Sequence, residues 1–179
     1  MGDRPPLRVG IESTRGPDDI PVCALTCAGR LSYPSVEDVR ATALDLVVTA
    51  ADAEACVLLA GLGLDAGTIT AFIEDLLRRR GKKRYGTRQT LLLAPAASTK
   101  TGLAWVRVIQ VQAETASPEN DGVLTPDEAR QMARDWFEVA AGTEADQLLA
   151  EALRSCTTIT GYQQGSLYQY MAALRAAKT

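Results

Sequence analysis

Histidine is absent from this 179-residue chain. That removes the commonest metal ligand and the commonest general base near neutral pH. Long apolar runs are missing too, and none approaches the roughly 20 residues a membrane helix needs. The opening Met1-Gly2-Asp3-Arg4-Pro5-Pro6 lacks the apolar core of a signal peptide. A cytoplasmic chain with no membrane partner is the expectation.

Cysteine is sparse: Cys23, Cys27, Cys56 and Cys156. Cys23 and Cys27 fall in a run that reads as a strand, where four residues span about 13 Å, too far for one metal or one disulfide. Cys56 and Cys156 sit in helical patterns, so four free thiols are expected, with no metal site. The glycine-rich stretch from Gly61 to Gly67 follows a helix and lacks the lysine of a phosphate loop. No cofactor is implied and no catalytic residue stands out. Apolar content of 46% with 23% charged residues lies within the globular range, which excludes wholesale disorder.

What the chain does contain is self-similarity. Set against itself at a shift of 90, the sequence from Ser35 to Phe72 repeats from Thr125 to Tyr162 without a gap. The pairs Arg40/Arg130, Asp45/Asp135 and Glu54/Glu144 are identical, as is the triplet Thr68-Ile69-Thr70 with Thr158-Ile159-Thr160. Leu46 falls on Trp136. Upstream the shift becomes 84, placing Val9 on Leu93, Val22 on Val106 and Leu25 on Ile109. The six-residue difference falls between Glu114 and Val123, whose Ala-Ser-Pro-Glu-Asn-Asp-Gly composition is that of a surface turn.

Within one unit, Leu7–Glu12 alternates apolar with polar or small residues, and Ile20–Ala28 is a second apolar strand. Gln89–Ala96 and Leu103–Ala113 match them, so each pair reads as a hairpin. A helix follows each hairpin, capped by Ser35 or Thr125, with Glu37-Asp38 or Asp127-Glu128 at the positive end of its dipole. Val36, Val39, Ala43, Leu46, Ala50 and Ala53 recur at helical spacing as a core face. Gly142-Thr143 predicts a break in the second copy of this helix. A second helix starts near Asp65, with Ile69, Phe72, Ile73, Leu76 and Leu77 on one face. Its counterpart carries Ile159 and Tyr162, then resumes through Leu167 and Tyr170.

The expected fold is therefore α+β: a tandem internal duplication of a strand-strand-helix-helix unit, residues 1–85 and 86–179 in one compact structure. Helices would pack on an antiparallel sheet of four or more strands, with a pseudo-twofold between copies.

For function, one segment stands out. Arg78, Arg79, Arg80, Lys82, Lys83 and Arg84 hold six of the 19 basic residues, and the net charge of −3 would be −9 without them. The strip occurs in the first copy only. Clustered cations of this kind contact phosphates; the alternative is a solvated linker complementing a helix end. Tyrosines between Tyr162 and Tyr170 could stack bases, or face a core. The repeated carboxylates Asp45/Asp135 and Glu54/Glu144 could meet across an axis as an acid–base or cation site, or lie solvated on polar helix faces.

The reading is a small non-enzymatic binding or regulatory protein that engages an anionic partner, nucleic acid or acidic protein, through the basic strip. The alternative is a self-associating structural or adaptor protein, hence a homo-oligomer. A third is a small-molecule enzyme with its cleft between the copies.

Overall fold

The computed structural model describes residues 9–27, 29–79, 91–98, 101–110 and 121–155, with 163, 165–167, 169–170 and 173 of the C-terminal stretch. Strands β1 (Val9–Arg15), β2 (Pro21–Cys27) and β3 (Arg30–Ser32) form one antiparallel sheet in that order. Helices α1 (Val36–Gly61) and α2 (Ala66–Arg79) follow. A second antiparallel sheet runs β4 (Leu91–Ser98), β5 (Leu103–Gln110), β6 (Asp121–Leu124), and α3 (Pro126–Ser155) comes after it. The class is α+β.

The sheets differ from the sequence expectation in two ways. Among the described residues there are two separate three-stranded sheets, not one sheet of four or more. Each also gains a third strand before its helix. β3 is only three residues long, and β6 begins inside the turn-like Asp121-Gly122. Strands that short carry no readable alternation.

The helix starts follow local chemistry. Asp38 N–H donates to Ser35 Oγ at 3.1 Å. At α3 the cap is reciprocal: Glu128 N–H donates to Thr125 Oγ1 at 3.2 Å, and Thr125 N–H donates to Glu128 Oε2 at 2.7 Å. This is a capping box, with Pro126 at the first helical position where its missing N–H costs nothing. Just past α1, Gly63 adopts φ +85°, with Gly63 N–H donating to Ala60 O and Leu64 N–H to Leu59 O. Those two bonds satisfy the last carbonyls and turn the chain into α2. Asp65 then caps α2, accepting from Gly67 N and Thr68 N.

The core lies between the helices and the sheets. Leu46 and Trp136 are both buried, at 1% and 3% exposure, as their alignment requires. Ala43, Ala50, Ala133 and Ala140 are completely buried beside them, and small side chains there let the two helices approach closely. The helices are exchanged between the sheets. α1 packs mainly on β4 and β5, and α3 mainly on β2 and β1, while α1 and α3 lie against one another. Each long helix thus covers the sheet made by the other half of the chain.

The expected break at Gly142-Thr143 does not occur; α3 is continuous. Thr143 is fully buried, donates its hydroxyl to Val139 O at 2.9 Å and accepts from Cys23 Sγ at 3.4 Å. Tertiary packing overrides a weak local preference.

The strand alignment also changes. Core-facing rows are Cys23, Leu25 and Cys27 on β2, and Val106 and Val108 on β5. A shift of 84 would set Leu25 on Ile109, which is on the opposite face from Val108. A shift of 81 carries Leu25 to Val106 and Cys27 to Val108, while 84 still carries Val9 to Leu93. Strand side chains alternate faces, so an odd error in register exchanges inside for outside.

Candidate functional site

α2 delivers the start of the basic strip. Its inner face buries Ile69 and Ile73 against Cys56 near the end of α1, with Ala97 of β4 alongside. Phe72, expected on that face, is 46% exposed. Arg78 sits in the last turn, exposed, and donates to Asp75 Oδ1 at 3.0 Å. Arg79 closes the helix. Arg80, Lys82, Lys83 and Arg84 lie outside the described residues. Of the tail tyrosines, Tyr162 and Tyr168 also lie outside them, and Tyr170 is 61% exposed rather than core-facing.

Beside α2 runs a cleft of about 620 Å³ between the helix and β4. Ile69, Ile73, Leu92, Ala94 and Ala96 line it, with Thr70, Glu74 and Cys56 as its polar members. Residues from both halves contribute, so this is the cleft an enzyme reading would need. Its chemistry is unpromising. Burial pushes the Cys56 thiol up, and the nearby Asp52 carboxylate pushes it the same way, so the thiol is held protonated and non-nucleophilic. Thr70 spends its hydroxyl on Ala66 O at 2.9 Å. Pro95 in the middle of edge strand β4 lacks an N–H and blunts that edge against strand addition.

Cys156 lies outside the described residues. Cys23 and Cys27 are buried and free, and burial raises both above their ordinary value; the bond to Thr143 and the Arg40 charge offset part of that shift at Cys23. Among the described residues no cluster of three or more Cys, Asp or Glu could hold a metal ion.

The repeated carboxylates do not meet one another. Glu54 and Glu144 each meet the repeated arginine of the other helix. Arg130 grips Glu54 through both terminal nitrogens, at 2.8 Å and 2.5 Å. Arg40 grips Glu144 in the same two-pronged way, one of its bonds at 3.3 Å. The hydrogen bonds from these arginines hold Glu54 and Glu144 below the usual carboxylate range and raise the arginines in turn. Glu54 and Glu144 are thus neither an acid–base or cation site nor simply solvated, but halves of a clamp between the two helices. The signal was in the sequence: 14 residues separate Arg40 from Glu54 and Arg130 from Glu144, four turns along one helix face. Asp135 accepts from Gln131 at 2.8 Å.

The sequence reading also missed the outer face of α1. Ala41, Leu44, Ala51 and Leu58 are exposed there, Leu44 at 56% and Leu58 at 70%. Leu62, just past the helix end, is 79% exposed. On α3 the neighbouring outer residues Ala141, Ala145 and Leu148 are exposed too. The core stripe on α1 was legible because it is periodic. A second apolar series on the opposite side was overlooked because that side was taken as polar.

No helix among the described residues is long and apolar enough to cross a membrane. Comparison with protein-family models, with curated proteins and with solved structures found no match.

Proposed function

We propose that this chain is a non-enzymatic structural or adaptor protein that self-associates through the outer face of its helix pair. The observation that carries this is the exposed apolar surface of α1, with Leu44, Leu58 and Leu62 all more than half exposed. An apolar row on a helix is normally covered, and contiguous exposed apolar surface of this kind marks interaction sites. The covered side of α1 is accounted for by β4, β5 and α3; the outer side is not.

The scaffold, on this reading, arose by tandem duplication and keeps an approximate twofold axis. Two observations support it. Arg40–Glu144 and Arg130–Glu54 are the same contact made twice with roles exchanged, the pattern of an isologous interface. Element order also repeats, with three antiparallel strands and a long helix in each half. Residues 1–85 and 86–179 would then be the two copies, each lending its helix to the other's sheet.

Sedimentation of the full chain over a dilution series tests the function. A discrete oligomer that dissociates on dilution supports it, and a strict monomer at every concentration overturns it.

A second reading keeps the basic strip from Arg78 to Arg84 as an anion-binding site for nucleic acid or an acidic protein. It is favoured by the confinement of the strip to one half and by the exposure of Arg78. Replacing Arg79, Arg80, Lys82 and Lys83 together with Ser should leave the melting temperature unchanged and abolish heparin and DNA retention at low salt. A wild-type chain that ignores both polyanions at low salt rules this reading out.

A further inference from the structure

The cleft beside α2 follows from the composition of β4. α2 packs its inner face on the end of α1, and Ala97 touches that cluster. Ala94, Pro95 and Ala96 before it are short side chains, and the space beside Ile69 and Ile73 stays open. The matching stretch of β1, at the shift of 84, is Gly10-Ile11-Glu12, with Glu12 exposed. The apolar wall thus belongs to β4 and not to its repeat. The space is about 620 Å³, within the range of small-molecule sites. It follows β4 from Leu92 to Ala97, about 17 Å of strand, and α2 from Ala66 to Glu74, about 12 Å of helix.

The groups that line the cleft narrow what can fill it. An extended peptide binds a sheet edge through a ladder of main-chain bonds, and Pro95 removes a donor from the middle of this edge. Two turns of a helix about 10 Å wide need roughly 850 Å³, more than the cleft holds. A polar ligand finds few partners, since Thr70 spends its hydroxyl on Ala66 O and a thiol such as Cys56 is a weak donor. Among the described residues Glu74 is the one charged member of the lining, and it is exposed, so an apolar occupant need not strip its water. We propose that the cleft binds an unbranched aliphatic chain, the tail of an amphiphile, lying along β4 with its polar head in solvent. Walls this poor in polar groups bond water badly, which makes its replacement by methylenes favourable. The site uses none of Leu44, Leu58 and Leu62, so it stands apart from the self-association reading.

Titration calorimetry of the full chain with ω-bromo-1-alkanols of increasing length tests this, their neutral heads keeping charge out of the comparison. Affinity should rise about fourfold per methylene while the tail still lies in the cleft. It should stop rising once the tail outgrows the roughly 17 Å of wall. The bromine reports the place. Trp105 of β5 is the cross-strand partner of Ala96, whereas Trp136, the other tryptophan, is buried in the main core. Quenching should therefore fall on Trp105 and persist in a Trp136→Phe chain. Ala94→Phe should weaken binding on the order of tenfold or more by filling the space, and Ala94→Leu, a smaller intrusion, should weaken it less, both with unchanged thermal melts. Leu44→Ser and Leu58→Ser should bind as the wild type does. Neither heat nor quenching at any tail length overturns the proposal, as does undiminished binding in Ala94→Phe. An affinity that climbs with length without limit also overturns it, because that is partition onto exposed apolar surface. Loss of binding in Leu58→Ser moves the contact to α1, and the cleft is then not the site.

Discussion

On their inner sides α1 and α3 bury matching positions: Ala43 with Ala133, Leu46 with Trp136, Ala50 with Ala140. On their outer sides they part company. Where α1 shows Leu44, α3 shows Arg134, which donates to the neighbouring Gln131 at 2.6 Å and so presents a self-satisfied polar surface. The lesson is about which constraints a core imposes. Both inner faces must fill the same space against the same kind of sheet, so they stay alike. The outer faces are released from that demand. Leu44 faces solvent on α1 where α3 has Arg134, while both helices keep exposed apolar residues further along, Leu58 on α1 and Leu148 on α3. Those exposed leucines need a cause outside the core. The proposed self-association would supply one.

The comparison can be broken hardest by separating the halves. Because α1 covers β4 and β5 rather than its own strands, residues 1–85 expressed alone should not populate a folded monomer. Calorimetry of the fragment checks this, and a cooperative melt from a monomeric species would show that α1 serves its own sheet well enough. The next largest effect is expected in the core. Trp136→Ala should cost about 3–5 kcal/mol and Leu46→Ala about 2–5 kcal/mol in urea unfolding, since both side chains are buried and each truncation leaves a cavity. A near-neutral Trp136→Ala would sever the equivalence of the two helices.

The smallest effect belongs to the arginine clamps, which are partly exposed and correspondingly weak. Arg40→Glu should lower the melting temperature, and adding Glu144→Arg should restore most of the loss; the same exchange at Arg130 and Glu54 should behave identically if the halves are equivalent. The pH dependence has a fixed sign. Glu54 and Glu144 are held below their ordinary values by the arginines, so the folded state favours the carboxylates. Their contribution is complete above the unfolded value of about 4.3 and disappears as pH falls through the depressed folded values. The stability gap between wild type and the Glu54→Gln, Glu144→Gln double variant should therefore close in acid, as melts across that range would show.

Much of the fold was legible locally. Ser35, Thr125 and Asp65 cap where a short polar side chain precedes a helical apolar pattern, because the cap bond spans three residues and needs no distant partner. The clamp and the exposed apolar row of α1 were legible in principle, since both are spacings along one helix. They were missed because an arginine gains meaning only when the facing helix is known, and because exposed leucines look like core until burial is measured.

Sequence alone determined the α+β class, the hairpins, the starts of the three helices and the burial of Leu46 and Trp136, all of them consequences of period and cap chemistry acting over a few residues. Only the tertiary structure decided that the strands form two sheets, that each long helix crosses to the sheet of the other half, that α3 runs unbroken through Gly142-Thr143, and that Glu54 and Glu144 face arginines rather than each other. An apolar stripe specifies that a helix must be covered, with the same free energy whichever sheet of suitable shape covers it; the choice between two such sheets rests on contacts between residues far apart in the chain, which no local pattern records.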